Sequence, residues 1–254
     1  MMLSRRSFLI LSGVIGGGLL GGLGRLDEVF AKGLKKQKWP WPYEKLNPEK
    51  TAEIAYNEWY RIFCGGAVIR SIFSQLAEKI GEPYASFPVD AFIIQEGGLA
   101  GWGTVCGSLN GAAVVANCIC GPRILGLEAG HIITTNLMDW YANTTLPVYK
   151  PKNPKANKER IIQTTSNSPL CHISVGKWMK ASGYALASPE RRDRCARVAA
   201  SVAYQLVLML NAWKDGKLDE EVKWTPASDF GINAQQNCLE CHGSNVPEAP
   251  KLKK

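Results

Sequence analysis

The longest unbroken helical pattern in the chain opens at Pro189 and runs through Val198, Val202, Leu206 and Leu210 to Trp213. Apolar residues four apart draw one stripe along a helix of about seven turns, and a stripe of that length has to be covered by other elements. The rest of the chain offers them as helical segments cut by Gly and Pro. Pro48 starts one that is carried by Ile54, Trp59, Ile62 and Phe63 and ends near Cys64-Gly65-Gly66. Ala67 to Ile80 continues as a second, stopped by Gly81 and Pro83. Asn110 to Cys118 reads as a small buried helix, Leu127 to Tyr141 as another, and residues 171–181 as a short one. There is no internal repeat and no convincing strand alternation, so the expected fold is mainly α, a single helical domain over residues 49–213. With 46% hydrophobic and 20% charged residues the chain can build that core without help from a cofactor.

The flanks read differently. Residues 1–31 have the form of a leader: Arg5-Arg6, an apolar Gly-rich stretch from Leu9 to Leu23, and small residues placed for cleavage after Ala31. Paired arginines before a weakly hydrophobic segment point to twin-arginine export and a periplasmic mature protein. The alternative is an uncleaved anchor, for which an apolar run of about 15 residues is short against about 30 Å of hydrocarbon. Residues 32–48 read as an extended linker, with Trp39-Pro40-Trp41-Pro42-Tyr43 favouring polyproline II. Residues 146–169, polar and rich in Pro and Lys, read as a surface loop, and 214–254 as a loop-like C-terminal segment. The net charge is +8, but Lys and Arg are scattered and the dense run Lys32–Lys38 adjoins the leader. That argues against nucleic-acid binding and leaves solubility, an acidic redox partner or anionic lipid as its use.

The C-terminal segment carries Cys238-Leu239-Glu240-Cys241-His242. Two thiols three residues apart reach the two vinyl groups of one haem, and the adjacent imidazole is held on its iron. Haem c is therefore expected at Cys238, Cys241 and His242; a zinc site would need a further ligand cluster, and a thiol pair would not need the histidine. The chain has three histidines, and two of them directly follow a cysteine. The second such pair is Cys171-His172, with Ser168 where a haem motif would have its first cysteine. Either a second haem hangs there from one thioether, or Cys171 serves another centre and His172 is a distal ligand or a surface residue. His131 lies on an apolar helix, where it is a core residue or a distal haem ligand.

Five further cysteines remain: Cys64, Cys106, Cys118, Cys120 and Cys195. Disulfides are the ordinary expectation in an oxidising compartment. An odd number leaves a thiol over, and Cys118 and Cys120 are too close in sequence to bridge without strain. Cys64 and Cys106 sit beside glycines, which leave room for a cluster and offer backbone N–H groups to its sulfurs. Twin-arginine cargo is exported folded, whereas haem c is attached after export, so the leader itself points to a second centre loaded in the cytoplasm. Cys64, Cys106 and Cys195 are the candidate cluster ligands, with Cys171, Cys118 or Cys120 as the fourth.

At these residues the sequence resembles a known family. Cys64-Gly65-Gly66-Ala67, the Gly-rich run into Cys106-Gly107-Ser108-Leu109-Asn110-Gly111-Ala112, and Arg194-Cys195-Ala196-Arg197 look like the C_GCAxxG_C_C redox family. With the leader and the haem motif added, residues 50–245 are similar to the split-Soret cytochromes c. The resemblance implies a homodimer, two closely packed c-type haems per subunit, bis-histidine ligation shared across the dimer, and an iron–sulfur centre, with 2Fe–2S as a candidate type. It implies that His172 and His242 match haem-attachment histidines and that Cys64, Cys106 and Cys195 match the family cysteines. The sequence departs from this pattern at Ser168, and its three histidines cannot saturate two haems per subunit.

The expected function is thus electron transfer with no substrate chemistry, by a soluble dimer that docks redox partner proteins and keeps its haems near the subunit interface. The alternatives are a haem reductase with an open iron position and a thiol or iron–sulfur redox protein.

Overall fold

The computed structural model describes residues 38–221, apart from 122, 124, 125, 127 and 157–160. The leader and the motif Cys238–His242 lie outside the described residues. The elements, in order, are α1 (Pro48–Ile80), a 3-10 turn (Val89–Gln95), α2 (Gly107–Cys120), α3 (Ala129–Asn143), β1 (Thr145–Leu146), β2 (Thr164–Thr165), α4 (Cys171–Ser182) and α5 (Pro189–Lys214).

Local signals explain where the two long helices begin. Asn47 caps α1, its Oδ1 accepting the Lys50 N–H at 2.7 Å, and Ser188 caps α5 by accepting the Arg191 N–H at 3.1 Å. Each helix has proline in its first turn, where the missing N–H goes unnoticed. The expected division of α1 into two helices is present, but the break falls at Ile62 and Phe63, where the backbone leaves helical geometry. Cys64, Gly65 and Gly66 therefore open the second half rather than close the first.

α1 and α5 pack along each other, α2 lies on both, and α3 covers α2 and α5. Val198, Val202, Leu206 and Leu210 of the α5 stripe are fully buried and Trp213 partly; Ile69, Ile72, Phe73 and Leu76 of α1, Val115 and Ile119 of α2, and Ile133, Leu137 and Tyr141 of α3 are fully buried too. By length and composition α5 could cross a bilayer, but here its apolar face is the core. Beside it lies a buried ion pair. Asp193 accepts from Arg197 Nε and Nη2, both at 2.8 Å, and from the hydroxyls of Tyr56 and Tyr60.

Two segments expected to be peripheral are tied to this core. Trp41 meets Phe73, Tyr84 and Phe87 with ring centroids 5.4–5.7 Å apart, its N–H donates to the Cys118 carbonyl, and Tyr43 is buried with its hydroxyl on Asn211. The aromatics of the expected linker thus anchor it. The loop after α3 is held too. β1 and β2 form a two-residue antiparallel ladder, Leu146 and Ile161 are buried, and the N–H groups of Val148 and Tyr149 share Ser201 Oγ. Polar composition concealed these few buried residues.

Glycines mark a close backbone approach between α1 and α2. A Cβ on Gly111 would lie 2.4 Å from the Gly65 carbonyl oxygen and 2.8 Å from its Cα; one on Gly107 would overlap the Gln95 carbonyl. α1 and α2 therefore cross backbone to backbone at this point. Gly111→Ala is expected to cost about 1–3 kcal/mol, since neither backbone can yield cheaply. Gly176→Ala, which meets nothing within 4 Å, should be neutral or mildly stabilising. Chemical denaturation of the two variants checks the contrast; equal stability would contradict the backbone contact.

Candidate functional site

The glycine crossing brings Cys64 and Cys106 together: the Cβ position of Gly107 lies 2.9 Å from the Cys64 Cβ. Cys106 is the N-cap of α2. Its N–H donates to the Pro169 carbonyl, while the Cys171 N–H donates to Thr104 and the His172 N–H to Gly103. Together with the Val105–Leu170 bridge these bonds form a short antiparallel pairing that places Cys171, the first residue of α4, beside Cys106. Cys195 enters from the first turns of α5. Cys64, Cys171 and Cys195 share one half-open cavity of about 640 Å³ with Trp59, Phe63 and His172.

Four thiols from four elements thus face one region. Burial, and after it the neighbouring Cys106 and Cys195, push the Cys64 thiol up to about 12, while hydrogen bonds from the Trp59 indole and the Gly97 backbone act the other way. Burial also raises Cys171, reinforced by Cys106, Cys195 and Cys64 and opposed by Arg194. Cys64 and Cys171 thus favour their protonated form, and a metal that bound them would have to displace those protons. Donors are in place for the thiolate form. Trp59 Nε1–H donates to Cys64 Sγ at 3.3 Å, and Arg191 Nη1 and Arg194 Nη1 stand 3.9 and 4.0 Å from Cys195 Sγ. Cys106 and Cys171 both sit at helix N-termini, where the backbone dipoles favour negative charge.

Among the described residues no group of three or more His, Cys, Asp and Glu side chains is arranged to hold a metal ion. A single zinc ion would need its sulfurs on a sphere of about 2.3 Å radius. A sulfide-bridged cluster divides its four thiolates between separate irons. Four cysteines are the donor set that iron–sulfur sites use, and Glu96 is the carboxylate that also lines this cavity.

The other sequence candidates lie elsewhere. Cys118 and Cys120 are at the opposite end of α2 from Cys106, about 18–21 Å along the helix axis, and contribute to raising the Tyr84 hydroxyl instead. The structure separates them from the four-cysteine region, and their sequence proximity to Cys106 was misleading because a helix carries them away. His131 is in the first turn of α3, while Tyr141, about 15 Å further along, is the end of that helix near Cys106. His172 is at the cavity, exposed, with Nδ1 3.0 Å from the Gly103 carbonyl. As the N–H donor in that bond, the ring leaves Nε2 as its unprotonated, ligand-capable nitrogen.

Sequence reasoning passed over Arg194, Tyr141 and Ser174. Arg194 is 2% exposed; its Nη2 donates to Ser174 Oγ at 2.7 Å, and Tyr141 donates to the same oxygen at 2.8 Å. The signal was present: Arg194 lies four residues before Val198, on the buried stripe of α5 itself.

The family described as "Putative redox-active protein (C_GCAxxG_C_C)" matches residues 64–209, a span that begins at Cys64 and takes in Cys106, Cys171 and Cys195. The chain belongs to this family. A split-Soret cytochrome c from Desulfovibrio desulfuricans (strain ATCC 27774 / DSM 6949 / MB) is 33% identical over 223 residues, covering 86% of this chain and 74% of the relative. The solved structure described as "A novel iron centre in the split-Soret cytochrome c from Desulfovibrio desulfuricans ATCC 27774" matches with a TM-score of 0.69 at 30% identity, over 84% of this chain and 86% of that one. The mainly helical fold is the split-Soret cytochrome fold, and the role of this family member is redox electron transfer.

The separated thiols give a pH prediction. Burial raises Cys118 to about 11 and Cys120 to about 12, from 9.0. Above pH 9 the unfolded chain ionises these thiols while the folded chain still holds their protons. Stability is therefore full below pH 9 and falls as pH rises toward 11–12. Denaturation midpoints across that range should fall less steeply in Cys120→Ser than in the parent; identical slopes would contradict the burial.

Proposed function

We propose that the protein is an exported electron-transfer cytochrome with two kinds of centre, covalent haem c at Cys238, Cys241 and His242, and an iron–sulfur cluster held by Cys64, Cys106, Cys171 and Cys195. The observation that carries the second centre is the convergence of these four thiols, each from a different element, beside indole and guanidinium donors. Both groups take up and release single electrons. The chain's part is to orient and insulate them. The glycine crossing fixes Cys64 against Cys106, the pairing of residues 103–106 with 169–172 fixes Cys171, and α5 fixes Cys195. Trp59 and Phe63 keep water from one side of the cavity.

His172 is the axial ligand the described fold offers to a haem, because its Nδ1 is engaged, which leaves Nε2 as the unprotonated nitrogen on an exposed side chain. His131, at the far end of α3, would serve a different iron. With Cys171 committed to the cluster and Ser168 unable to form a thioether, one covalent haem per chain accounts for the attachment residues. Export by the twin-arginine route to the periplasm, and a dimer in which a histidine is shared between subunits, complete this reading.

The centres are separable by mutation. Protein purified without oxygen should contain haem iron and, in addition, non-haem iron with acid-labile sulfide. Cys195→Ser should lose most of the sulfide and keep its haem-stained band on a denaturing gel. Cys241→Ala should weaken haem attachment and keep the sulfide. Absence of sulfide in the parent protein would reject the cluster and leave the haem alone.

A further inference from the structure

α5 buries two arginines that the fold treats in opposite ways. Arg197, 4% exposed, donates twice to Asp193, so its charge is matched within the protein. Arg194, 2% exposed, has no carboxylate partner among the described residues. Its polar contacts are a neutral hydroxyl, Ser174 Oγ, and the sulfur of Cys195, and its Nε is buried without a hydrogen bond. A guanidinium cannot shed its proton, and a buried charge without a partner is strongly destabilising. Arg191, at the rim of the cavity, brings a second guanidinium to the same sulfur at 3.9 Å.

Resting on the cluster reading above, we infer that Arg194 is the built-in counter-charge of the cysteine centre: it requires the centre to be anionic and raises its reduction potential. A centre with four thiolates is anionic, and reduction adds one more negative charge as a single electron arrives from the redox partner. A fixed cation beside Cys195 stabilises the reduced form more than the oxidised one. Ser174 and Tyr141 act by positioning, since the hydroxyl shared between Arg194 Nη2 and Tyr141 holds the guanidinium's other end away from solvent. Arg194 is no nearer to the sulfur than Arg191, and its burial is what makes its charge effective; Arg191, half-buried at the cavity rim, is more screened.

The test is a redox titration of the whole protein, prepared without oxygen, following the cluster by electron paramagnetic resonance and the haem by its visible spectrum. Arg194→Met should lower the reduced-to-oxidised ratio of the cluster at fixed potential about tenfold, about 59 mV for one electron, and leave the haem midpoint nearly unmoved. Arg194→Lys should recover most of the shift. Ser174→Ala loosens the same anchoring bond but keeps the charge, so its cluster midpoint should shift by much less than that of Arg194→Met. Arg191→Met should shift in the same direction by less, and it reads the effect even where Arg194→Met fails to fold. A second readout needs no electron transfer. Removing iron with a chelator takes away the anion that pairs Arg194, so the thermal midpoint should fall further in the parent than in Arg194→Met. An unmoved cluster midpoint in the Arg194 and Arg191 variants, or an equal shift in Ser174→Ala, overturns the inference and leaves the cluster reading intact. Absence of acid-labile sulfide in the parent overturns both.

Discussion

Helices that meet through ordinary side chains keep their axes about 8–10 Å apart. At Gly65 and Gly111 the two backbones themselves are the contact surface, and a single methyl group would overlap the opposing chain. The cysteines flank this crossing, so the distance between Cys64 and Cys106 is set by backbone atoms rather than by flexible side chains. Gly107 against the Gln95 carbonyl fixes the register of the same contact and seats the Gly-rich turns that follow the 3-10 helix. From those turns runs the segment that pairs with residues 169–172 and positions α4. The placement of Cys171 and His172 therefore depends on an interaction far away in sequence, at the kink of α1.

Charge inside α5 is arranged on the same economical plan. Within five residues the helix carries Asp193, Arg194 and Arg197, all buried in a domain whose surface has room for charge. Asp193 and Arg197, one turn apart, close a pair capped by two tyrosine hydroxyls, and Lys155 joins it from the long loop through its N–H on Tyr56. Arg194 points about 100° away around the helix, toward sulfur. One face of the helix thus holds the fold and the next faces the thiols.

The helices were legible because Pro, Asn, Ser and Gly punctuate them by local rules, and the α5 stripe was read from Val198 to Leu210, with Trp213 only partly buried at its end. The break near Cys64 was visible within two positions. Its meaning was not: the glycines looked like a stop and are a crossing, because contact between segments 46 residues apart in sequence (Gly65 and Gly111) leaves no local trace. The same limit explains the cysteines. Cys64, Cys106 and Cys195 stood out by their neighbours, but choosing Cys171 over Cys118 and Cys120 required knowing which end of α2 faces α4. The buried anchors at Trp41, Tyr43 and Ser201 were hidden in segments of polar or proline-rich composition, where one or two residues carry the contact. Arg194 could have been found by asking why a charge sits in line with Val198 and Val202.

α4 is the most lightly held of the helices around the cysteines. Ser174, Val175 and Trp178 are its buried residues, where α1 and α5 bury whole faces. Segments with so little cover open locally long before the domain unfolds, and their amides exchange hydrogen first. Cys171 leads this helix, so each such opening would withdraw one thiol while the other three stay in the core. The survival of a centre in air would then be timed by the fluctuations of a twelve-residue helix, and a tighter seat for Trp178, with no change near any sulfur, would lengthen it.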